Sequence, residues 1–327
     1  MGDGPYLIRP FAERDFDAYA RILSRLQPEN PASAAQVRYW FRLDEGHGRF
    51  LRYTVSEDRA SREVVAVAAM WQQPGGFDPD KYWTLVSVDP AHQSRGLGRR
   101  LFRVAEEVAL SRRAKALWSF VRADEPRSVR FFDRSGFVER RRVWNSRLDL
   151  TELPPRKSTP GQQQWEREGV EFTTLAHEGV DRPSVRQRLY RLYVEAGKDV
   201  PRMSPATSLT FEEFLESVFG APGFLPDGLF LARVDQEYVA MTSVTSVPDR
   251  PDTLHIPFTG ALRSYRGRGI AFEVKRRAAE FARARGYRFL ETNNDSLNKP
   301  IWAINEKLGF RRFSVSIHGE KTLEHPG

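Results

Sequence analysis

Cysteine is absent from the chain, which excludes disulfides, thiolate metal ligands and an acyl-cysteine intermediate at once. Lysine is scarce: only eight of the 51 basic residues are lysine, and the remainder are arginine. Long apolar runs are missing as well. The longest, Val64–Trp71, is far short of the ~20 residues needed to cross a bilayer, so no membrane span is expected. The six histidines, His47, His92, His177, His255, His318 and His325, stand singly, and none pairs with another at an HxxxH spacing. No metal site is expected from them. The first fifteen residues lack the basic-then-apolar pattern of a secretory signal, and Tyr6 stands where a myristoylation motif needs Ser or Thr. The expected location is cytoplasmic.

What is present fits two domains of ordinary size. The chain has 327 residues, 40% apolar and 29% charged, a composition that points to neither disorder nor a fibre. A net charge of +8 leaves three partners open: nucleic acid, an anionic cofactor, or water over a solvated surface. Arginine gathers in two places, Arg95, Arg99 and Arg100, then Arg263, Arg266 and Arg268. Nucleic acid ranks last among the partners, because no recognised binding module or aromatic-basic alternation accompanies the charge.

Those two clusters belong to a repeat. Gln93-Ser94-Arg95-Gly96-Leu97-Gly98 is answered by Arg266-Gly267-Arg268-Gly269-Ile270-Ala271, and Ser135-Gly136-Phe137 by Leu308-Gly309-Phe310. Gly96 and Gly269 lie 173 residues apart, as do Phe137 and Phe310. Two different motifs in one register argue for a duplicated domain. Between the copies a Pro-rich, polar stretch without periodicity reads as a linker. The expected division is a first domain over 1–152, a linker over 153–168 and a second domain over 169–327.

Each half repeats one order of elements. A short strand (6–10 or 170–174) leads into a helix with apolar residues at helical spacing, then two hairpin-like strands (51–56 with 64–71, or 229–234 with 238–244). A further strand (82–88 or 254–262) runs into the glycine motif, and a helix follows it (101–110 or 272–282). Another strand (116–121 or 288–292), another helix, the Gly-Phe pair and a last strand complete the half. The fold class is α/β, with a mixed sheet carrying helices on both faces.

A strand that ends in a glycine-rich turn opening a helix makes an anion site, because the first helical N–H groups lack partners and the helix dipole favours negative charge there. Glycine lets a phosphate approach the backbone, and Arg95, Arg99 and Arg268 add positive charge nearby.

With these residues the chain resembles the GCN5-related N-acetyltransferase superfamily, in its tandem two-domain form with a mycothiol-synthase-like architecture. That family's signature is Gln/Arg-x-x-Gly-x-Gly/Ala at the start of its third helix, followed about forty residues later by a Leu-Gly-Phe-like turn. The resemblance covers nearly the whole chain, twice. It implies two tandem domains, each with a mixed, mostly antiparallel seven-stranded sheet, and acetyl-coenzyme A (acetyl-CoA) as the acyl donor. The pyrophosphate would lie on the amides of Gln93, Ser94, Arg95, Gly96, Leu97, Gly98 and Arg99, or of Arg266, Gly267, Arg268, Gly269, Ile270 and Ala271. Pantetheine would wedge between the splayed fourth and fifth strands, with backbone contacts from Val88 or Ala261. Asn298 matches a helix position that hydrogen-bonds the cofactor, and its counterpart in the first half is Glu125.

Acyl transfer to an amine needs a neutral nucleophile, donors for the developing oxyanion and a proton for the leaving thiolate. The tyrosine that supplies this proton in many relatives is replaced by Phe132 and Asn305. Phenylalanine cannot donate, and an asparagine amide stabilises only by hydrogen bonding. Eleven residues before each loop, where some relatives carry a glutamate base, stand Tyr82 and His255. His255 and Asn305 are therefore the candidate catalytic residues, and the chemistry is expected mainly in the second half. The expected acceptor is the amine of a small molecule or peptide, with Asp199 placed where it could hold a cationic one. A protein that binds acyl-CoA without transferring it is the competing reading.

Overall fold

The computed structural model describes residues 4–45, 48–155, 161–205 and 207–325. Residues 156–160 of the expected linker and His47 lie outside the described residues. The chain divides into two compact units, one comprising Met1–Arg141 with Ile317–Gly327, the other Arg142–Ser316.

The first unit contains β1 (Tyr6–Pro10), α1 (Phe16–Leu26), α2 (Ala34–Glu45), β2 (Leu51–Asp58), β3 (Val64–Trp71), β4 (Lys81–Val88), α3 (Leu97–Ser111), β5 (Ala116–Arg122), α4 (Pro126–Arg134) and the start of β6 (Val138–Asp149). Its sheet runs β1-β2-β3-β4-β5 and then takes in the end of the chain's last strand. The β1–β4 neighbours are antiparallel, and β4 and β5 are parallel. The apolar run of β3 is buried because helices cover both its faces. Val67 and Ala69 pack with Phe16, Tyr19 and Ile22 of α1, whereas Ala66 and Ala68 pack with Leu97 and Leu101 of α3.

The second unit repeats this plan. It holds the end of β6, then α5 (Gln162–Arg167), β7 (Glu171–Thr174), α6 (Leu175–Glu178), α7 (Pro183–Gly197), α8 (Phe211–Val218), β8 (Phe224–Val234), β9 (Glu237–Val247), β10 (Arg250–Ala261), α9 (Ile270–Ala284), β11 (Phe289–Asp295), α10 (Lys299–Leu308) and the start of β12 (Arg311–Thr322). The order is β7-β8-β9-β10-β11, followed by β6 residues that pair antiparallel with β11 from Phe289↔Asp149 to Asp295↔Val143. Here β9 is the doubly covered strand. Tyr238 and Met241 face Val185, Leu189 and Leu192 of α7, while Val239 and Ala240 face Ile270 and Val274 of α9.

Two boundaries differ from the sequence reading. The first unit ends at Arg141, before 152, and the chain returns to it from Ile317, so neither unit is one continuous segment. The expected linker also ends in helix α5, whose Trp165 is buried against Phe172 at 4.8 Å. Polar composition hid α5, because a single large apolar side chain anchors it rather than a periodic stripe.

Candidate functional site

Each unit turns from its fourth strand into a helix through a loop held by its own side chains. Gln93 Nε2 donates to Val88 O at 3.2 Å, and Arg266 Nε donates to Ala261 O at 3.0 Å, so the first residue of each motif ties the loop to the strand five residues earlier. Gly96 and Gly269 are the N-caps of α3 and α9, both with φ of 80°, a left-handed geometry that disfavours any residue with a Cβ. Neither has a side chain to cap the helix, so the first amides point outward unpaired. A Cβ added at Gly96 or Gly267 would meet no atom within 4 Å among the described residues, which leaves this side of each loop open to an anion. The amides of Gln93 and Arg266 are taken by Pro90 O and Arg263 O, so those that follow, from Ser94 to Arg99 and from Gly267 to Ala271, are the ones left to fit a pyrophosphate.

The arginines of the two motifs are less free than their charge implies. Arg95 reaches Tyr6 Oη at 3.0 Å and Ala91 O at 3.1 Å. Arg268 pairs with Glu168, just beyond α5, and donates to Ser264 O at 2.7 Å. Arg99 stays exposed. Asp199 does not present a free carboxylate to an amine: Arg263 and Arg266 grip it, with Arg266 Nη1 at 2.7 Å, and their hydrogen bonds hold it below the usual carboxylate range. It pins the leading residue of the second loop.

Beyond the fourth strand the two units diverge. Parallel pairing of β4 with β5 stops at Trp83↔Trp118, and that of β10 with β11 stops at Ile256↔Thr292. Past these rungs no ladder joins the two strands as the fourth strand runs on to the glycine loop. β4 keeps an unbroken register with β3, from Trp71↔Trp83 to Ala66↔Val88. β10 does not: opposite β9 its register shifts between His255 and Phe258. Pro257 stands in this bulge, and its missing N–H cannot serve a ladder. One extra residue means that counting back from the loops misaligns the strands. His255 lies opposite Glu291, as Trp83 lies opposite Trp118, so Trp83 rather than Tyr82 is its structural counterpart.

His255 is flanked by a buried charge cluster. Glu291 accepts from Arg250 Nη1 and Nη2, each at 2.8 Å, and from Arg147 Nε at 2.7 Å. Burial pushes the Glu291 carboxyl up, but the two arginines outweigh it and hold the group ionised. Burial also takes His255 down to about 4, with Glu291 opposing and Arg250 and Lys275 adding to the shift. An unburied imidazole titrates near neutrality. Desolvation, which a linear sequence does not display, moves it lower.

Asn305 is fully buried on α10. Its Oδ1 accepts from Lys275 Nζ at 2.6 Å, and its Nδ2 donates to Asn294 Oδ1 at 2.7 Å. The corresponding position of the first unit, Phe132, is buried and stacks on Phe137 at 4.9 Å, with Phe102 5.7 Å from Phe137. A Cβ on Gly98 would meet Phe131 at 3.5 Å and Val88 at 3.9 Å, so the Phe131 ring packs close to the start of α3. Asn298 is the N-cap of α10 and its side chain makes no capping bond among the described residues. Lys275 is not among the residues that the motifs single out. The available signal was a lysine on the apolar stripe of α9, between Val274 and Ala278.

The sequence model of the acetyltransferase (GNAT) family matches residues 16–137 and 187–310. Among solved structures, a GCN5-related N-acetyltransferase from Sphaerobacter thermophilus is similar over 100% of this chain and 98% of its own, with TM-score 0.71 and 21% identity. A tandem GNAT protein from the clavulanic acid biosynthesis pathway is similar over 98% of this chain and 100% of its own, with TM-score 0.75 and 17% identity. A glucosamine N-acetyltransferase region in a fungal multi-domain beta-N-acetylglucosaminidase shares the fold over 98% of this chain and 38% of its own, with TM-score 0.68 and 16% identity. No curated protein matches the chain in a sequence search.

Proposed function

The chain belongs to the acetyltransferase (GNAT) family, whose domain it carries twice, and we propose that it transfers the acetyl group of acetyl-CoA to the amine of a small molecule or peptide, with the chemistry in the second unit. The observation that carries this assignment is the contrast at equivalent positions. The second unit presents a bulged β10, polar Asn294, Asn298 and Asn305, and neutral His255. The first presents an unbroken β4, stacked Phe132 and Phe137, and Trp83.

Within this reading the donor brings an activated acyl carbon, and the protein binds and orients it. Amides from Gly267 to Ala271 hold the pyrophosphate, and strands β10 and β11, unpaired beyond Ile256, take the pantetheine arm. Thr259 and Gly260 of β10 have no ladder partner on β11, whereas Phe258 O accepts from Thr242 Oγ1; backbone groups of the former two are left to meet the thioester. His255, neutral at physiological pH, accepts a proton only weakly and acts through water toward the incoming amine.

The test compares Gly269→Val with Gly96→Val. Each substitution crowds the loop amides, and each charge-assisted bond lost is worth roughly 1.5–3 kcal/mol. Thiol release from acetyl-CoA with an amine panel is expected to fall at least tenfold for Gly269→Val and much less for Gly96→Val, once both are shown folded. The reverse pattern would move the chemistry to the first unit. No thiol release by the wild type with any amine would favour a protein that binds acyl-CoA without transferring it.

A further inference from the structure

We propose that Arg202, in the segment joining α7 to α8, binds a carboxylate of the acceptor, so that the second unit acetylates amines that are themselves acids, such as free amino acids. This rests on the reading above that the second unit transfers an acetyl group to an amine, and it names the class of that amine.

The segment leaves α7 beside the stretch of β10 that has no ladder partner on β11. A Cβ added to Gly260 would meet the Cβ of Ala196, near the end of α7, at 2.9 Å, and the Tyr193 ring stands 4.7 Å from that of Phe258. The guanidinium of Arg202 lies against the same helix end, where a Cβ on Gly197 would meet its Nη2 at 3.6 Å. Arg202, the last turn of α7 and the unpaired Thr259 and Gly260 of β10 therefore lie together.

Arg202 is held in place without being neutralised. Its Nη1 donates to Gly197 O at 2.8 Å and to Val200 O at 3.3 Å, and these two carbonyls fix the plane of the guanidinium. Its Nε and Nη2 make no hydrogen bond among the described residues, and neither is sealed from solvent. Those two nitrogens form the side-on edge of the fork, the edge that takes both oxygens of a carboxylate at once. Tyr193 Oη, which also makes no hydrogen bond among the described residues, supplies a further donor nearby.

The acids close to Arg202 in sequence are engaged elsewhere. Glu195 pairs with Lys198, Asp199 with Arg263 and Arg266, and Glu213 accepts from the amide of Thr210. Burial draws the Arg202 guanidinium below its usual range, and the group that opposes this is the Tyr193 phenol rather than a carboxylate. A half-buried cation without a counter-charge costs stability, and a ligand carboxylate offsets that cost. The first unit supplies the counter-charge itself: Arg25 of α1 donates to the buried Asp89 at 2.7 Å. At the spacing of the repeat, 173 residues on, the match of Asp89 is Leu262, so the second unit has no carboxylate there.

The experiment measures thiol release from acetyl-CoA with a panel of L-amino acids, each beside its carboxamide, which keeps the amine and removes the negative charge. The wild type is expected to favour the acids about tenfold or more in kcat/KM. In Arg202→Gln that preference should vanish through a raised KM for the acid, with KM for acetyl-CoA unchanged. Arg202→Lys, which keeps the charge and loses the fork, should retain part of it. Tyr193→Phe keeps the ring against Phe258, should lower the preference about threefold, and carries the test if the arginine variants do not fold. Equal rates for acids and carboxamides in the wild type, or a preference that the variants leave intact, would overturn the inference, while the thiol release itself upheld the acyltransferase reading. A wild type that releases thiol with neither kind of amine would remove that reading and the inference with it.

Discussion

His255 meets the pH range of the reaction from below. Its folded pKa of about 4 lies under the ordinary 6.5, so between those values the unfolded chain binds a proton that the folded chain refuses. Stability is therefore full above about pH 6.5 and declines as pH falls toward 4, a direction shared by His318, which burial also takes to about 4. In His255→Leu the melting temperature should drop less between pH 6.5 and 4 than in the wild type, at about 2–4 °C per kcal/mol for a unit of this size. For catalysis the same shift means that His255→Ala should leave the slope of kcat/KM between pH 6 and 8 unchanged; a flattened limb there would return the near-neutral base to this position. Asp199 offers a second test. Since it holds Arg266, Asp199→Asn should raise KM for acetyl-CoA by about three- to tenfold, roughly the net worth of one ordinary hydrogen bond, with KM for the amine unaltered. A change confined to the amine would make Asp199 the acceptor's anchor. The glycines and Asn305 were legible in the sequence because type and spacing define them, whereas the pairing of Asp199 and the burial of Lys275 depend on segments distant along the chain.

Helices and strands followed the sequence closely where one period ruled. β1 and β3 fall where alternation and apolar content put them, and α3 and α9 begin at the glycine motifs. The failure at β10 is instructive: Pro257 was visible, but a bulge is defined only against the partner strand, so the count from loop to His255 slipped by one residue relative to β4. The residues read as linker failed for another reason. Gln162–Arg167 is polar apart from Trp165, and its order comes from one buried indole and from Glu168 meeting Arg268. Trp165→Ala should cost about 3–5 kcal/mol, read as a lowered denaturant midpoint for the second unit, whereas an unstructured linker would show no change.

Each unit needs residues from the other half of the sequence to complete its sheet. Ile317 and Leu323 belong to a core cluster of the first unit, and Glu320 accepts from Trp118 Nε1 at 2.9 Å and from Lys81 Nζ at 3.0 Å. The fragment 1–152 should therefore lack a cooperative melt and be cut rapidly by protease, although the repeat marks it as a whole domain; a sharp, two-state melt would restore that boundary. The sequence by itself determined the duplication, the α/β class and the two glycine loops, because these are set by residue type and by contacts a few positions apart. Only the tertiary structure decided where the units divide, that His255 stays neutral, that Asp199 is spent on the loop, and that Lys275 is buried beside Asn305. Desolvation and strand pairing depend on which distant segments come together, and no spacing along the chain records that.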